Sequence, residues 1–428
     1  MQKLLHADEA LVLLEAGRER GFVILVRKDR VLARPMGRDA GTLNDDVAEL
    51  RKAFVVRGGA VEAFDTAKAY SLYRGLFGAV EPGLDGVRHL VAVPTAALAS
   101  LPLDLLVTKA PAAGAARDYG AAQWLVRRMA ISEIPSARAF AAQREQPAAA
   151  ATARPFLGVA DPLFAAGAGS GAARGGLEAL ESQCRDAGPI SPDALRGLPA
   201  LPETADEVRR IAAILHADSG SLLIGADATE ARLRAMPLDQ YRVLYFATHG
   251  LLPTALRCQS EPALVLTPPR TAATTRADDG VLDASEVAQL HLRADLVVLS
   301  ACNTAVAGNQ FGGESLSGLA KSFFHAGARA VLASHWEVPS AQTVQLMTGM
   351  FEKLGPNLSS GVAESLRQAQ LALIARPQTA HPFFWAAFTV IGDGGTLAPG
   401  RSSESTGGRS LANAGDGPDK SSHSERRP

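Results

Sequence analysis

Val243-Leu244-Tyr245-Phe246-Ala247-Thr248-His249-Gly250 and Leu296-Val297-Val298-Leu299-Ser300-Ala301-Cys302 are two short apolar runs, and each stops on a residue with useful chemistry. Both are rich in β-branched or aromatic residues and end at small or polar ones, the pattern of a buried strand in a parallel sheet. In open α/β sheets, ligands bind beyond the carboxyl ends of the strands. The two runs are therefore expected to deliver the His249 imidazole and the Cys302 thiol to one rim. A thiol near pKa 8.5 reacts as its thiolate. A neighbouring imidazole takes that proton and can return it to a leaving amine. Gly250, with no Cβ, lets its amide approach a bound carbonyl. With the amide of Cys302 it is expected to form an oxyanion hole, in which one donor is worth about 10²–10³ in rate.

Outward from these runs, strands and helices alternate. Phe156-Leu157-Gly158-Val159-Ala160 reads as a strand, and a further strand follows Gly327 over Ala328–Ser334. Helices are expected after Glu314 up to Gly327, at about 340–354 and at about 360–375, with a last strand over Phe383–Ile391. Thr204-x-x-Glu207, Asp227-x-x-Glu230 and Asp283-x-x-Glu286 each fit a capping box or its acidic relative. The N-terminal part reads as a hairpin (Gly21–Val26, turn at Asp29-Arg30, Val31–Arg34), a helix over 42–54, a strand over Val87–Pro94 and a helix through Trp124–Arg127. Such alternation predicts a mostly parallel sheet covered on both faces. Pro147 and the alanines up to about 153 read as a connector. Residues 396–428 are poor in apolar residues and rich in Ser, Gly, Arg, Asp and Pro, which predicts a disordered tail. The expected division is a supporting α/β lobe (1–145), a catalytic lobe (146–395) and that tail.

The His–Cys spacing is close to that of caspases, whose histidine lies about 50 residues upstream of the cysteine. The chain resembles the CHAT domain family, caspase-like and separase-related, on stretches that keep their order from about residue 50 to 395. They are Leu90–Pro94, Leu101-Pro102-Leu103-Asp104-Leu105-Leu106, Phe246–Gly250, Asp295–Cys302, Gly312–Ser315, Ala326–Val331, Ser334–Val338, Leu366–Gln370 and Phe384–Phe388 running to Ile391–Asp393. Residues 1–50 match the segment that often precedes the domain.

The resemblance implies a caspase-like three-layer α/β sandwich with a mostly parallel central sheet, preceded by a smaller α/β lobe of pseudo-caspase type. It implies a cysteine endopeptidase acting on a specific protein partner in bacterial signalling or antiviral defence, without metal or organic cofactor. A partner carrying the helical repeats often fused to this family is also implied. Two departures bear on specificity. Pro339-Ser340 stands where the family commonly carries an Asp pair, and neutral Ser300 stands where related metacaspases often place an acid that selects a basic residue. By analogy with caspases, the segment after the Ala328–Ser334 strand lines the substrate cleft. Trp336 is then a candidate cleft wall and Glu337 a candidate replacement acid, with a core tryptophan and a solvated glutamate as the competing readings. Asp295, at the start of its strand, is excluded from the site.

Two other functions fit the same residues: a non-catalytic interaction module, and another thiol-dependent hydrolase or acyltransferase. Hydrophobic residues make up 47% and charged ones 20%, as in an ordinary globular chain. A net charge of −1 carries no nucleic-acid footprint. Cys184, Cys258 and Cys302 form no disulfide framework, which points to a reducing cytoplasm. Acids interrupt the N-terminus before any signal core. No apolar stretch approaches a membrane span of roughly 18 residues. There is no Cys-x-x-Cys pair and no His-Glu-x-x-His helix to hold zinc. The glycines between Ala165 and Gly176 read as a surface loop rather than a phosphate cradle.

Overall fold

The computed structural model describes residues 1–57, 60–145, 154–164, 190–251, 261–269, 278–300 and 313–395. The main sheet opens with β1 (Glu9–Ala16), β2 (Gly21–Arg27) and β3 (Val31–Met36), and a small pair, β4 (Val56–Arg57) and β5 (Ala60–Val61), stands apart from it. It continues with β6 (His89–Val93), β7 (Ala130–Glu133), β8 (Arg154–Ala160), β9 (Leu222–Ile224) and β10 (Tyr241–Ala247). A second small sheet follows, of β11 (Gly250–Leu251), β12 (Ala263–Val265) and β13 (Val281–Asp283). The main sheet is completed by β14 (Leu296–Leu299), β15 (Ala330–Ser334) and β16 (Phe388–Gly392).

Eleven strands form one sheet in the order β3-β2-β1-β6-β7-β16-β15-β14-β10-β8-β9. Seven of its ten neighbouring pairs are parallel, so the expectation of a mostly parallel sheet holds. The antiparallel β15–β16 junction divides it. Strands β8, β9, β10, β14 and β15 point one way, and β1, β6, β7 and β16 point the other. The two halves therefore turn their carboxyl ends to opposite edges of one sheet, and β7 joins β16 through the single pair Glu133–Ile391.

Alternation along the central strands builds the layers. Val243, Tyr245 and Ala247 of β10 enter the larger core, with Leu296 and Val298 of β14 and the helices Pro202–Ile214, Ser340–Leu354 and Val362–Ile374. Leu244, Phe246, Val297 and Leu299 face the opposite core, which is closed by the helix Gly313–Ala326 and shorter helices around Leu233 and Val287. This is a three-layer α/β sandwich with a mostly parallel central sheet.

Gly158 explains how closely one helix lies on the sheet. A Cβ there would stand 2.2 Å from Cγ1 of Val208 on the Pro202–Ile214 helix. Gly327 (φ +114°) ends the Gly313–Ala326 helix as expected for a C′ residue, and a Cβ there would meet the Leu292 carbonyl oxygen at 2.2 Å.

Several elements differ from the sequence reading. β1, β7 and β9 were not anticipated, and Phe383–Trp385 is part of a helical turn (Pro382–Trp385) before β16 rather than strand. Asp283–Glu286 is a true capping box. Thr204–Glu207 is not: Pro202 starts that helix two residues earlier, and Glu207 is buried within it. Asp227–Glu230 is not either, because Thr229 is the cap and Glu230 is buried, accepting from the Gly280 amide at 2.7 Å. The connector at 146–153, the glycine-rich loop and the 396–428 tail lie outside the described residues.

Candidate active site

His249 stands two residues beyond the end of β10, and its side chain is only 1% exposed. Its Nε2 lies 2.8 Å from the Pro199 carbonyl oxygen, and the Phe164 ring packs against it at 5.3 Å. A carbonyl only accepts, so this contact assigns the ring proton to Nε2 and leaves Nδ1 as the basic nitrogen of the neutral imidazole. Burial pulls the imidazole pKa down, and the Pro199 carbonyl and the Glu203 charge act against that. A neutral ring with a fixed tautomer is the form a general base requires.

The backbone around His249 is held by the small sheet. The Thr248 hydroxyl donates to the Val265 carbonyl, and the Val265 amide donates to the His249 carbonyl at 2.9 Å. In an antiparallel ladder the next pair, Gly250 with Leu264, is then the non-hydrogen-bonded one. The Gly250 amide accordingly points away from β12, on the outer edge of β11.

Beside His249, β14 pairs with β10 in parallel, from Val243 opposite Leu296 to Phe246 opposite Leu299. Ser300 follows directly and is buried. Its hydroxyl donates to Oε1 of Glu207 at 3.2 Å, and the Tyr245 hydroxyl donates to the same oxygen. Burial raises the Glu207 carboxyl to about 7, although both hydroxyl contacts favour the ionised form. Cys302 lies outside the described residues, as do Cys184 and Cys258.

The remaining candidates separate. Trp336 is a core residue: its ring stacks on Phe54 at 3.9 Å with the planes 1° apart, its Nε1 donates to the Phe383 carbonyl at 2.9 Å, and it is 6% exposed. The cleft-wall reading of Trp336 gives way to the core one, because the ring is buried, stacked on Phe54, and its indole N–H is already paired. Glu337, next along, is exposed to solvent, yet desolvation by surrounding protein raises its carboxyl. Asp295 sits at the far end of β14, paired with Arg242 Nε at 2.8 Å.

Two site residues escaped the sequence reading. Pro199 contributes only a main-chain oxygen, which no side-chain motif encodes. Glu207 was read as a cap. Around them, Glu203 accepts from the Ser340 hydroxyl at 2.5 Å, and the amide of Asp161 (φ 47°) donates to the Thr204 hydroxyl oxygen at 2.9 Å. The Asp161 carboxyl is raised by burial and then by the Glu203 charge. Among the described residues, no group of three or more His, Cys, Asp and Glu side chains is placed to hold a metal ion, and no helix is long and apolar enough to cross a membrane.

A family model described as the CHAT domain matches residues 66–393. The chain belongs to the CHAT domain family. Among solved structures, this CHAT protein is similar to the Arg-specific cysteine proteinase gingipain R (RgpB) at 12% identity and a TM-score of 0.40, over 84% of this chain and 75% of that one. A complex of the pro- and mature domains of Porphyromonas gingivalis RgpB gives 11% identity and 0.40, over 83% and 76%. Separase in the Saccharomyces cerevisiae separase–securin complex gives 10% identity and 0.46, over 91% of this chain but only 31% of that one. No curated protein matches.

Proposed function

We propose that this CHAT protein is a cysteine endopeptidase in which His249 is the base and Cys302 the nucleophile. One observation carries the reading: β10 and β14 are adjacent parallel strands, so the segments that leave their carboxyl ends, toward His249 and toward Cys302 in the sequence, start from the same edge of the sheet. Family membership and the fixed imidazole tautomer add support.

In this mechanism, Nδ1 of His249 takes the Cys302 proton and the sulfur attacks the scissile carbonyl. The oxyanion is met by the amides of Gly250 and Cys302. Collapse breaks the C–N bond as His249 returns the proton to the departing amine, and water then hydrolyses the thioester through the same imidazole. The substrate is a specific protein partner in bacterial signalling or antiviral defence, within a reducing cytoplasm, and a partner with helical repeats regulates it. The chain is organised as a supporting lobe (1–145), a catalytic lobe (146–395) and a tail (396–428).

A thiol-reactive peptide probe tests this. Labelling and turnover are expected to vanish in Cys302→Ala, to fall by at least about 10²-fold in His249→Ala, and to persist in Cys184→Ala and Cys258→Ala. Equal labelling of wild type and Cys302→Ala sinks the proposal. A comparison of new protein termini in cells expressing wild type or Cys302→Ala then names the substrate.

A further inference from the structure

We propose that Glu207 makes the space beside His249 selective for a cationic side chain, so that cleavage follows arginine or lysine. This rests on the peptidase reading above and names its substrate class. The argument begins with strand alternation. Tyr245 and Ala247 of β10, and Leu296 and Val298 of β14, all face the larger core, and Ser300 continues that face of β14. The Pro202–Ile214 helix covers the same face and sets Glu207 against both strands. The Glu207 carboxyl touches Ser300 at 3.2 Å and the Tyr245 hydroxyl, at the carboxyl end of the strand next to the one that leads to His249.

The chemistry of this carboxyl is incomplete. It is 2% exposed and receives two neutral hydroxyls, and among the described residues no Lys, Arg or His pairs with it. A buried anion without a counter-charge is costly, and an incoming cation removes that cost. Asp161 and Glu203 stand nearby and add negative potential at the same end of the sheet, only partly offset by Arg209. A cleft with that bias attracts a guanidinium or ammonium group. Ser300 is neutral, but its hydroxyl passes the contact to an acid supplied by the helix instead of by β14. An arginine or lysine immediately before the scissile bond (P1) is the group placed to reach it.

The test uses the full chain and a set of fluorogenic peptides differing only at P1 (Arg, Lys, Gln or Leu). Wild type is expected to favour Arg or Lys over Gln in kcat/KM by about 10²-fold, within the range found when a buried charge pair loses one partner. Glu207→Gln keeps the shape and should abolish that preference, bringing the rates after Arg and Lys down to the rate after Gln. The Arg-to-Leu rate ratio of wild type should rise as pH passes through about 7, where the carboxyl ionises; the ratio cancels the shared dependence on His249. Glu207→Gln should lack this rise, and Glu337→Gln should retain the preference.

A wild type that cuts after Leu or Gln as well as after Arg, in a Cys302-dependent way, keeps the peptidase reading and overturns this inference. So does a Glu207→Gln that slows every peptide equally, or a preference that follows Glu337. If no peptide is cut, the same P1 series built as thiol-reactive ketones is read by labelling. Cys302-dependent labelling without P1 bias rejects the inference alone, and no Cys302-dependent labelling rejects both.

Discussion

Replacing Asp104 with Asn should flatten the fall in stability with rising pH. Asp104 lies in the 3-10 turn Leu103–Leu105, 4% exposed, and Glu133 closes β7 at 6% exposed. Burial raises Asp104 from 3.8 to about 7, and burial followed by the Asp104 charge raises Glu133 well above its ordinary value. Among the described residues, the Glu133 Oε1 atom has no hydrogen-bond partner. Between pH 4 and 7 the folded protein therefore holds a proton on Asp104 that the unfolded chain has released, so stability is fully present at acid pH and declines as pH rises to about 7. At about 1.4 kcal/mol per pKa unit, the span from 3.8 to about 7 corresponds to about 4 kcal/mol. Because Glu133 sits in the pair that joins β7 to β16, the effect falls on the seam between the two halves of the sheet. Urea unfolding of wild type and Asp104→Asn at pH 5, 6, 7 and 8 measures it. Wild type should lose ground to the variant up to about pH 7 and then run parallel, and the variant also gains from relief of Glu133. Superimposable pH slopes would refute the reasoning, whatever the absolute stabilities.

Trp336→Ala removes the ring stacked on Phe54 and should cost about 3–5 kcal/mol of stability by denaturant titration; a change confined to KM at unaltered stability would restore the cleft-wall reading. Arg144→Met strands two carboxylates, since Arg144 Nη2 lies 2.8 Å from Glu9 and 2.9 Å from Asp393. The loss should be about 3–5 kcal/mol near neutral pH. Burial alone would raise Glu9, but hydrogen bonds from His89 and Arg144 hold it well below the usual carboxylate range. The stability it contributes is present above its unfolded pKa of 4.5 and is lost on acidification, so the gap between variant and wild type should narrow below about pH 4.5. A pH-independent gap, read by the same titration, would contradict that sign.

What the sequence revealed, and what it hid, follows from the range over which each feature is determined. The strands β8, β10 and β14 were legible because burial on both faces leaves an uninterrupted apolar run. β1 is buried almost as fully, but Glu9 and Glu15 bracket its apolar centre and obscure it; Glu9 is tolerated there only because Arg144 and His89 meet it from remote positions. β9 has three residues and β7 four, too few to show a period. The acid three residues after a Ser, Thr or Asp predicted a cap three times and was right once. That pattern says nothing about burial, which is what placed Glu207 and Glu230 inside the protein. His249 could be singled out because it is next to its strand, whereas the Pro199 carbonyl and Glu207 arrive from a different segment of the chain.

The opposed strand directions explain why one rim, and not both, is a candidate for catalysis. A parallel sheet offers chemistry at its carboxyl ends, and this sheet has two such edges. One carries His249 and Ser300, with Glu207 behind them. At the other, β6 runs into Pro94 and Thr95, and the Thr95 hydroxyl is spent on the Leu14 carbonyl. β7 ends in the buried Glu133 and Ile134, and Asp393 after β16 is consumed by Arg144. Those side chains cross-link neighbouring strands and present no imidazole to a substrate. The same arrangement of strands thus cross-links the sheet at one edge and gathers His249, Ser300 and Glu207 at the other. The difference lies in the few residues that follow each strand.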